Sequence, residues 1–276
     1  MGIGSWLFKK ITNYFNKESK HTSNRSYLCD FDRVCHEIIP GDVLLIEGRN
    51  RISNVIKRIT HSRWTHAALY IGRLHSIEDP ELREHVRQYY HGSASNQLLV
   101  ETIVGKGTLI NATPHYKDHH IRICRPVGLS HSDAQKIIGF AIRHLGHTYD
   151  VRHFIDLGRF LLSSRWFIPR LWRSSLFNNI KNQTNKDVCS SMLAEAFTSV
   201  NFPVLPLIRS NKDKDMEMIH RNPKLFTPSD FDYSPYFSII KYPIYPNTND
   251  GPYHHFPWRE DLISHDEDVV ETKKSK

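Results

Sequence analysis

The stretch from Ser62 to Gly72, SRWTHAALYIG, has the composition of a buried β-strand with a histidine at its start. Side chains alternate between the two faces of a strand, so His66 shares its face with Ala68 and Tyr70. The small Ala68 side chain leaves room for another group to approach the imidazole. An imidazole in such a position can act as the base that activates a nearby nucleophile.

A second stretch, residues 187–197 with the sequence DVCSSMLAEAF, predicts an amphipathic helix that begins with a cysteine. The pKa of a free thiol is about 8.5, and lowering it by about two units requires about 2.7 kcal/mol. A helix N-terminus supplies only about 0.3–1 kcal/mol. A charged His66 must therefore supply most of the stabilisation of a Cys189 thiolate. The amide of Cys189 could then donate to the oxyanion of a tetrahedral intermediate.

A carboxylate is the third candidate member of the site. A strand over residues 97–104 places Glu101 on the same apolar face as Leu99. A buried carboxylate is costly unless a partner meets it, and His66 would be that partner and would be held in one tautomer. Each residue also has a purely structural interpretation. Cys189 would be a packing residue, His66 a hydrogen-bonded core histidine and Glu101 an edge residue.

Composition excludes several classes of protein. The 276 residues carry a formal net charge of +8, which favours anionic partners such as phospholipid headgroups. No nucleic-acid-reading motif accompanies the charge, so no nucleic-acid partner is expected. The four cysteines lack C-x-x-C spacing and the histidines lack metal-ligand spacing, which predicts free thiols in a reducing compartment, no metal and no cofactor. No membrane-spanning run and no signal peptide are found, which predicts a cytoplasmic location.

The chain divides into three predicted regions. Residues 1–35 form an amphipathic helix and a linker, and this helix either docks on the domain or anchors the protein peripherally to an anionic membrane surface. Residues 36–245 form one α+β domain with a basic, aromatic insertion at 163–186. Residues 246–276 form a polar tail that is disordered from residue 260. Strands are predicted at 43–46, 65–71, 97–104, 120–125 and 237–240, and helices at 51–60, 78–90, 130–144 and from 189.

Several motifs together resemble a known family. They are PGDVLL at 40–45, WTHAALYIG at 64–72, GHTYD at 146–150, VCSS at 188–191 and FTPSD at 226–230. The chain resembles the circularly permuted NlpC-type papain-like enzymes, and within them the YiiX/YebB-like cysteine hydrolases, over roughly residues 38–242. In this order the histidine comes first and the cysteine last.

The resemblance implies a permuted papain-like α+β fold, with an antiparallel sheet packed against helices. It also implies that Cys189 is the nucleophile, His66 the base and Glu101 the orienting residue. Tyr149 would border the nucleophile, and Tyr149 and Trp64 are the predicted substrate-binding residues.

The leading functional prediction is a thiol hydrolase or acyltransferase that works through a cysteine acyl-enzyme. Its partner would be a lipid, a peptide or another acylated substrate, and the basic surface and aromatic insertion favour a lipid or membrane-associated one. Two alternatives remain open. One is a murein-peptide amidase or endopeptidase, and the other is a non-enzymatic lipid- or ligand-binding protein on the same fold.

Overall fold

The strand that begins at His66 lies inside a six-stranded sheet in which every neighbouring pair is antiparallel. This computed structural model describes residues 29–103, 105–147, 189–210, 216–243, 256–258, 262–265 and 268–271. The predictions made for the N-terminal helix, for the 163–186 insertion and for Tyr149 fall outside these residues.

The main sheet has the order β4-β3-β2-β1-β5-β8. The strands are β1 (Val43–Glu47), β2 (His66–Gly72), β3 (Leu98–Ile103), β4 (Gly107–Ala112), β5 (His120–Pro126), β6 (Leu207–Ser210), β7 (Met216–Ile219), β8 (Phe237–Ile240), β9 (Leu262–His265) and β10 (Asp268–Glu271). The helices are α1 (Phe31–Glu37), α2 (Arg51–Thr60), α3 (Pro80–Tyr89), α4 (His131–Arg143), α5 (Cys189–Thr198) and α6 (Pro228–Tyr233). The predicted α+β class is confirmed. Among the described helices, none has the length and apolarity needed to cross a bilayer.

Three helices begin where the sequence places a capping side chain. The side chain of Asn50 accepts a hydrogen bond from an amide in the first turn of α2, Asp79 does so for α3, and Ser130 for α4. Such a cap satisfies one of the amides that a helix start leaves without an intrahelical partner. The helices therefore begin close to the predicted positions.

The two faces of the sheet bury two separate cores, and the predicted alternation along β2 is confirmed. Leu69 points into the larger core, which α4 and α5 cover. Ala68 and Tyr70 point into the smaller core, to which α1 contributes Phe31 and Val34. Helix α1 therefore runs across the domain boundary predicted between residues 35 and 36, and its buried side chains belong to the same core as β2.

Elements appear in three regions where the sequence pattern predicted none. Strand β4 follows a tight turn whose two glycines, Gly105 and Gly107, have φ angles of +78° and +82°. This backbone conformation is costly for other residues. The region after residue 203, predicted as loops, contains the β6–β7 hairpin and the short helix α6. Strands β9 and β10 pair antiparallel within the tail that was predicted to be disordered.

The start of β1 is held by a buried ion pair. The carboxylate of Asp42 is fully buried, accepts a hydrogen bond from the amide of Ile39 at 2.9 Å and binds the Nη2 of Arg125 at 2.8 Å. The same Arg125 donates to the carbonyl of Glu37 at 2.7 Å. One guanidinium therefore ties α1, the turn before β1 and β5 together.

The helix that carries Cys189 is anchored by an aromatic side chain at its other end. The ring of Phe197 is fully buried and lies 5.4 Å from the ring of Phe202, 6.2 Å from that of Phe231 and 5.3 Å from that of Phe237, measured between centroids. We expect Phe197→Ala to lower the free energy of unfolding by roughly 3–5 kcal/mol, because the surrounding rings cannot fill the cavity. Urea denaturation measures the loss.

The matched control for this substitution is Tyr233→Ala, which removes an aromatic ring that is 82% exposed. Its expected effect is within about 0.5 kcal/mol. A loss below about 1 kcal/mol for Phe197→Ala would contradict the packing described for α5.

Candidate active site

The imidazole of His66 stands at the first position of β2. Its backbone is opposite Ile46 of β1, and the preceding residue is fixed because Thr65 donates its amide to Ile46 and accepts the amide of Gly48 at 2.8 Å. The His66 side chain is 17% exposed. The ring is therefore held in place by two strands while one part of it remains accessible from outside.

The carboxylate of Glu101 lies directly beside this ring. Glu101 pairs with Ala68 in the sheet, is fully buried, and its Oε2 is hydrogen-bonded to Nε2 of His66. Burial alone raises the pKa of this carboxyl. The positive imidazole of His66 and the hydrogen-bond donors around Glu101 lower that pKa by more than burial raises it, so the net shift is downward. Glu101 is therefore ionised at neutral pH.

The thiol of Cys189 lies next to the same imidazole. Cys189 is the first residue of α5 and is 8% exposed, and it lies close enough to His66 for the imidazole to lower the pKa of its thiol. Because Nε2 is bonded to Glu101, the ring atom available to the thiol is Nδ1. The structure thus brings together the sulfur, the imidazole and the carboxylate, which come from three separate elements.

The pKa values of the pair shift in opposite directions. Burial raises the pKa of the Cys189 thiol, but the hydrogen bond and charge of His66 and the backbone amides of Ala67 and Ser190 outweigh it and lower the pKa. Burial lowers the pKa of His66, but the charge of Glu101 and the contact with Cys189 raise it to about 10. The arrangement favours a thiolate–imidazolium pair.

The other three cysteines have the opposite environment. Burial raises the pKa of Cys29 and of Cys124, and burial together with the charge of Asp32 raises that of Cys35 to about 11. All four thiols are free. Cys189 is therefore the one cysteine whose surroundings favour the nucleophilic form.

Two further side chains contact the site through Glu101, and sequence reasoning missed both of them. Asn111 donates its amide to Oε1 of Glu101 at 2.6 Å, and the hydroxyl of Tyr116 donates to Oε2. Asn111 lies on β4, which the sequence pattern did not predict, and Tyr116 lies in the short 3₁₀ turn after it. The sequence signal that could have pointed to Asn111 was its position near the end of a strand that follows the Gly-Lys-Gly turn at residues 105–107.

Of the two predicted substrate-binding residues, the structure describes only Trp64. Tyr149 falls outside the described residues. Trp64 is 9% exposed and packs in the larger core, with the guanidinium of Arg122 4.7 Å from its ring centroid and the ring of His120 at 6.4 Å. Its role in binding substrate stays a prediction.

No cluster of three or more histidine, cysteine, aspartate or glutamate side chains suited to a metal ion occurs in the part of the chain that the structure describes.

Comparison with known proteins agrees with this architecture. Residues 37–160 match the model of a family described as permuted papain-like amidase enzymes, YaeF/YiiX, C92 family. Over these residues the chain is similar to a permuted papain-like amidase family, and this similarity supports a cysteine hydrolase in general. The match includes His66 and Glu101 and ends before Cys189. The finer assignment to an NlpC-type group stays a prediction.

A solved structure is also similar to this chain. It is the metalloprotein yiiX from Escherichia coli O157:H7, with a TM-score of 0.45 and 14% sequence identity. The alignment covers 75% of this chain and 98% of that one. No curated protein matches the chain.

Proposed function

We propose that this protein cleaves an amide or ester bond through a covalent acyl-enzyme on Cys189. The observation that carries the proposal is the chain of contacts from the Cys189 thiol through the His66 imidazole to the buried, ionised Glu101. This is the arrangement of nucleophile, base and orienting acid that thiol hydrolases need.

The reaction proceeds in two halves. The Cys189 thiolate attacks the carbonyl carbon of the substrate, and the electron pair of the carbonyl moves to its oxygen. The amide of Cys189 donates to this oxyanion, because amides in the first turn of a helix have no intrahelical acceptor. The His66 imidazolium gives its proton to the leaving nitrogen or oxygen, and the C–N or C–O bond breaks to leave a thioester on Cys189.

Deacylation reverses the role of the imidazole. Neutral His66 takes a proton from a water molecule, or from the hydroxyl or amine of an acceptor, as that group attacks the thioester carbonyl. The C–S bond breaks, and the thiolate–imidazolium pair is restored. Glu101 remains ionised throughout and stabilises the imidazolium.

For the substrate, we propose an acylated lipid or a membrane-associated acyl compound reached peripherally from the cytoplasm. The net charge of +8 and the sequence of the N-terminal segment, in which Lys9 and Lys10 follow Trp6, support attraction to an anionic surface. A peptide amide, including one from murein, would be attacked by the same chemistry, so it is a direct alternative for the test.

Intact-mass spectrometry tests the proposal and its alternatives together. The protein is incubated with sedimentable anionic vesicles that contain a lipid extract, and separately with a murein digest. We expect an added mass equal to the acyl group, located on Cys189, in the vesicle arm, with the protein recovered in the pellet. The matched sample is Cys189→Ala, which should show no adduct.

Each other outcome has a defined meaning. An adduct in the murein arm alone would replace the lipid substrate by a peptide. Lipid that co-purifies equally with wild type and Cys189→Ala, without an adduct in either arm, would favour a non-enzymatic binding protein and overturn the proposal.

A further inference from the structure

We infer that Tyr116 and Asn111 are positioning residues of this site, which hold Glu101 charged and directed at His66 through two neutral hydrogen bonds. The inference rests on the proposed function. Tyr116 and Asn111 affect the pKa of the Cys189 thiol through Glu101 and His66, without contacting the thiol themselves.

The carboxylate of Glu101 is surrounded by donors. Its Oε1 accepts the amide of Asn111 at 2.6 Å, and its Oε2 accepts both the hydroxyl of Tyr116 and the ring Nε2 of His66. Glu101 has no exposed surface. A carboxylate buried in this way would take up a proton without such donors, because burial penalises its charged form.

Both donors are neutral, so they stabilise the charge of Glu101 without neutralising it. A lysine or arginine in their place would neutralise Glu101 and compete with the imidazolium for it. The amide of Asn111 does not ionise, and the pKa of Tyr116 is raised by burial and by the charge of Glu101, so its hydroxyl remains a donor. The two side chains therefore stabilise the charge without cancelling it, and the charge stays available to His66.

The two donors are held by elements that carry none of the three candidate catalytic groups. Asn111 is on β4, where its backbone pairs with Leu99 of β3. The ring of Tyr116 is 5% exposed, lies 6.3 Å from the ring of His66 and contacts the ring of His119 at 5.3 Å in a T-shaped arrangement. Glu101 is thus fixed from two directions, which restricts the direction of its bond to Nε2 of His66.

The two donors affect the pKa of Cys189 in two steps. An ionised, fixed Glu101 raises the pKa of His66, and a charged His66 lowers the pKa of Cys189. Loss of either donor weakens the first step, so less of the thiolate–imidazolium pair forms at neutral and mildly acidic pH. The total amount of thiolate at high pH does not depend on the donors.

The pH dependence of Cys189 alkylation by iodoacetamide tests this inference. For Tyr116→Phe we expect alkylation roughly tenfold slower than wild type at pH 6, and rates that converge above pH 10. Asn111→Leu removes the other donor and should shift the profile in the same direction. Tyr70→Phe is the matched control, because it removes another buried hydroxyl in the same core that is not bonded to Glu101.

Peptide mapping of the alkylated protein separates the outcomes. A purely structural role would expose all four thiols to labelling without shifting the profile of Cys189, and it would overturn the inference. An unchanged profile in both variants would also overturn it. Alkylation requires no substrate, so the proposed function fails independently if Cys189 of the wild type reacts no faster than Cys124.

Discussion

Replacement of Cys189 by alanine is expected to lower kcat for amide or ester hydrolysis by roughly 10⁴–10⁶-fold, the range found when a nucleophile is removed from a cooperating set. The reason is that no other described thiol is activated. The pKa values of Cys29, Cys35 and Cys124 are raised, whereas that of Cys189 is lowered by the adjacent imidazole. The measurement is steady-state hydrolysis of a chromogenic thioester or amide.

Two companion variants sharpen this prediction. Cys189→Ser keeps the shape of the side chain but replaces the thiol by a hydroxyl that His66 cannot hold ionised, so it should be nearly as inactive as Cys189→Ala. Cys35→Ala makes the same chemical change as Cys189→Ala at a partly exposed site and should leave kcat unchanged within about twofold. Hydrolysis by Cys189→Ala within about tenfold of the wild-type rate would rule out Cys189 as the nucleophile.

The elements that hold the three central residues could be predicted from the sequence because each rests on a local pattern. Alternation along residues 66–71 predicted which side chains share a face with His66, and the structure places Ala68 and Tyr70 there. The apolar spacing from residue 189 predicted α5. The cost of a carboxylate on an apolar face predicted that Glu101 has a partner.

The rest of the site depends on contacts that no local pattern encodes. Asn111 and Tyr116 lie 10 and 15 residues after Glu101, and they reach it only because the β3–β4 hairpin folds back on itself. Their importance follows from the complete burial of Glu101, which is a property of the assembled sheet. The Gly-Lys-Gly turn before β4 was the one local signal for Asn111, and nothing in the composition around Tyr116 distinguishes it from an ordinary turn position.

The errors in secondary structure have a similar cause. Strand β4 begins at Gly107, the last glycine of a tight turn, and its pairing with β3 outweighs the weak apolar–polar alternation of its sequence. Helix α6 has only six residues, which is too short for helical periodicity to be recognised. Strands β9 and β10 lie in a charged segment, where composition favours disorder but the two strands pair with each other.

His66→Asn is expected to lower kcat by roughly 10⁴-fold and to move the reactivity of Cys189 to higher pH. In the wild type the pKa of Cys189 lies below its ordinary value because His66 is charged, so alkylation should begin below the ordinary thiol pKa of about 8.5. Hydrolysis should fall again as the pH rises through the pKa of His66, about 10, because the leaving group then loses its proton donor. Asparagine can bond Glu101 but cannot carry the charge, so burial would dominate and raise the pKa of the thiol.

The matched control is His120→Asn, since His120 begins the neighbouring strand β5 and lies 3.6 Å from Glu47, away from the carboxylate of Glu101. His120→Asn should leave the pH profiles of hydrolysis and of Cys189 alkylation unchanged.

Glu101→Gln separates the two effects of the histidine, because it keeps the base but removes the charge that raises the pKa of His66. In Glu101→Gln, the fall of hydrolysis at high pH should therefore occur at a lower pH than in the wild type. If this fall stays at the wild-type pH while the rate decreases, Glu101 orients the ring without controlling its charge. If His66→Asn retains alkylation below pH 7, the thiolate is stabilised by the helix amides and the imidazole is not its main partner.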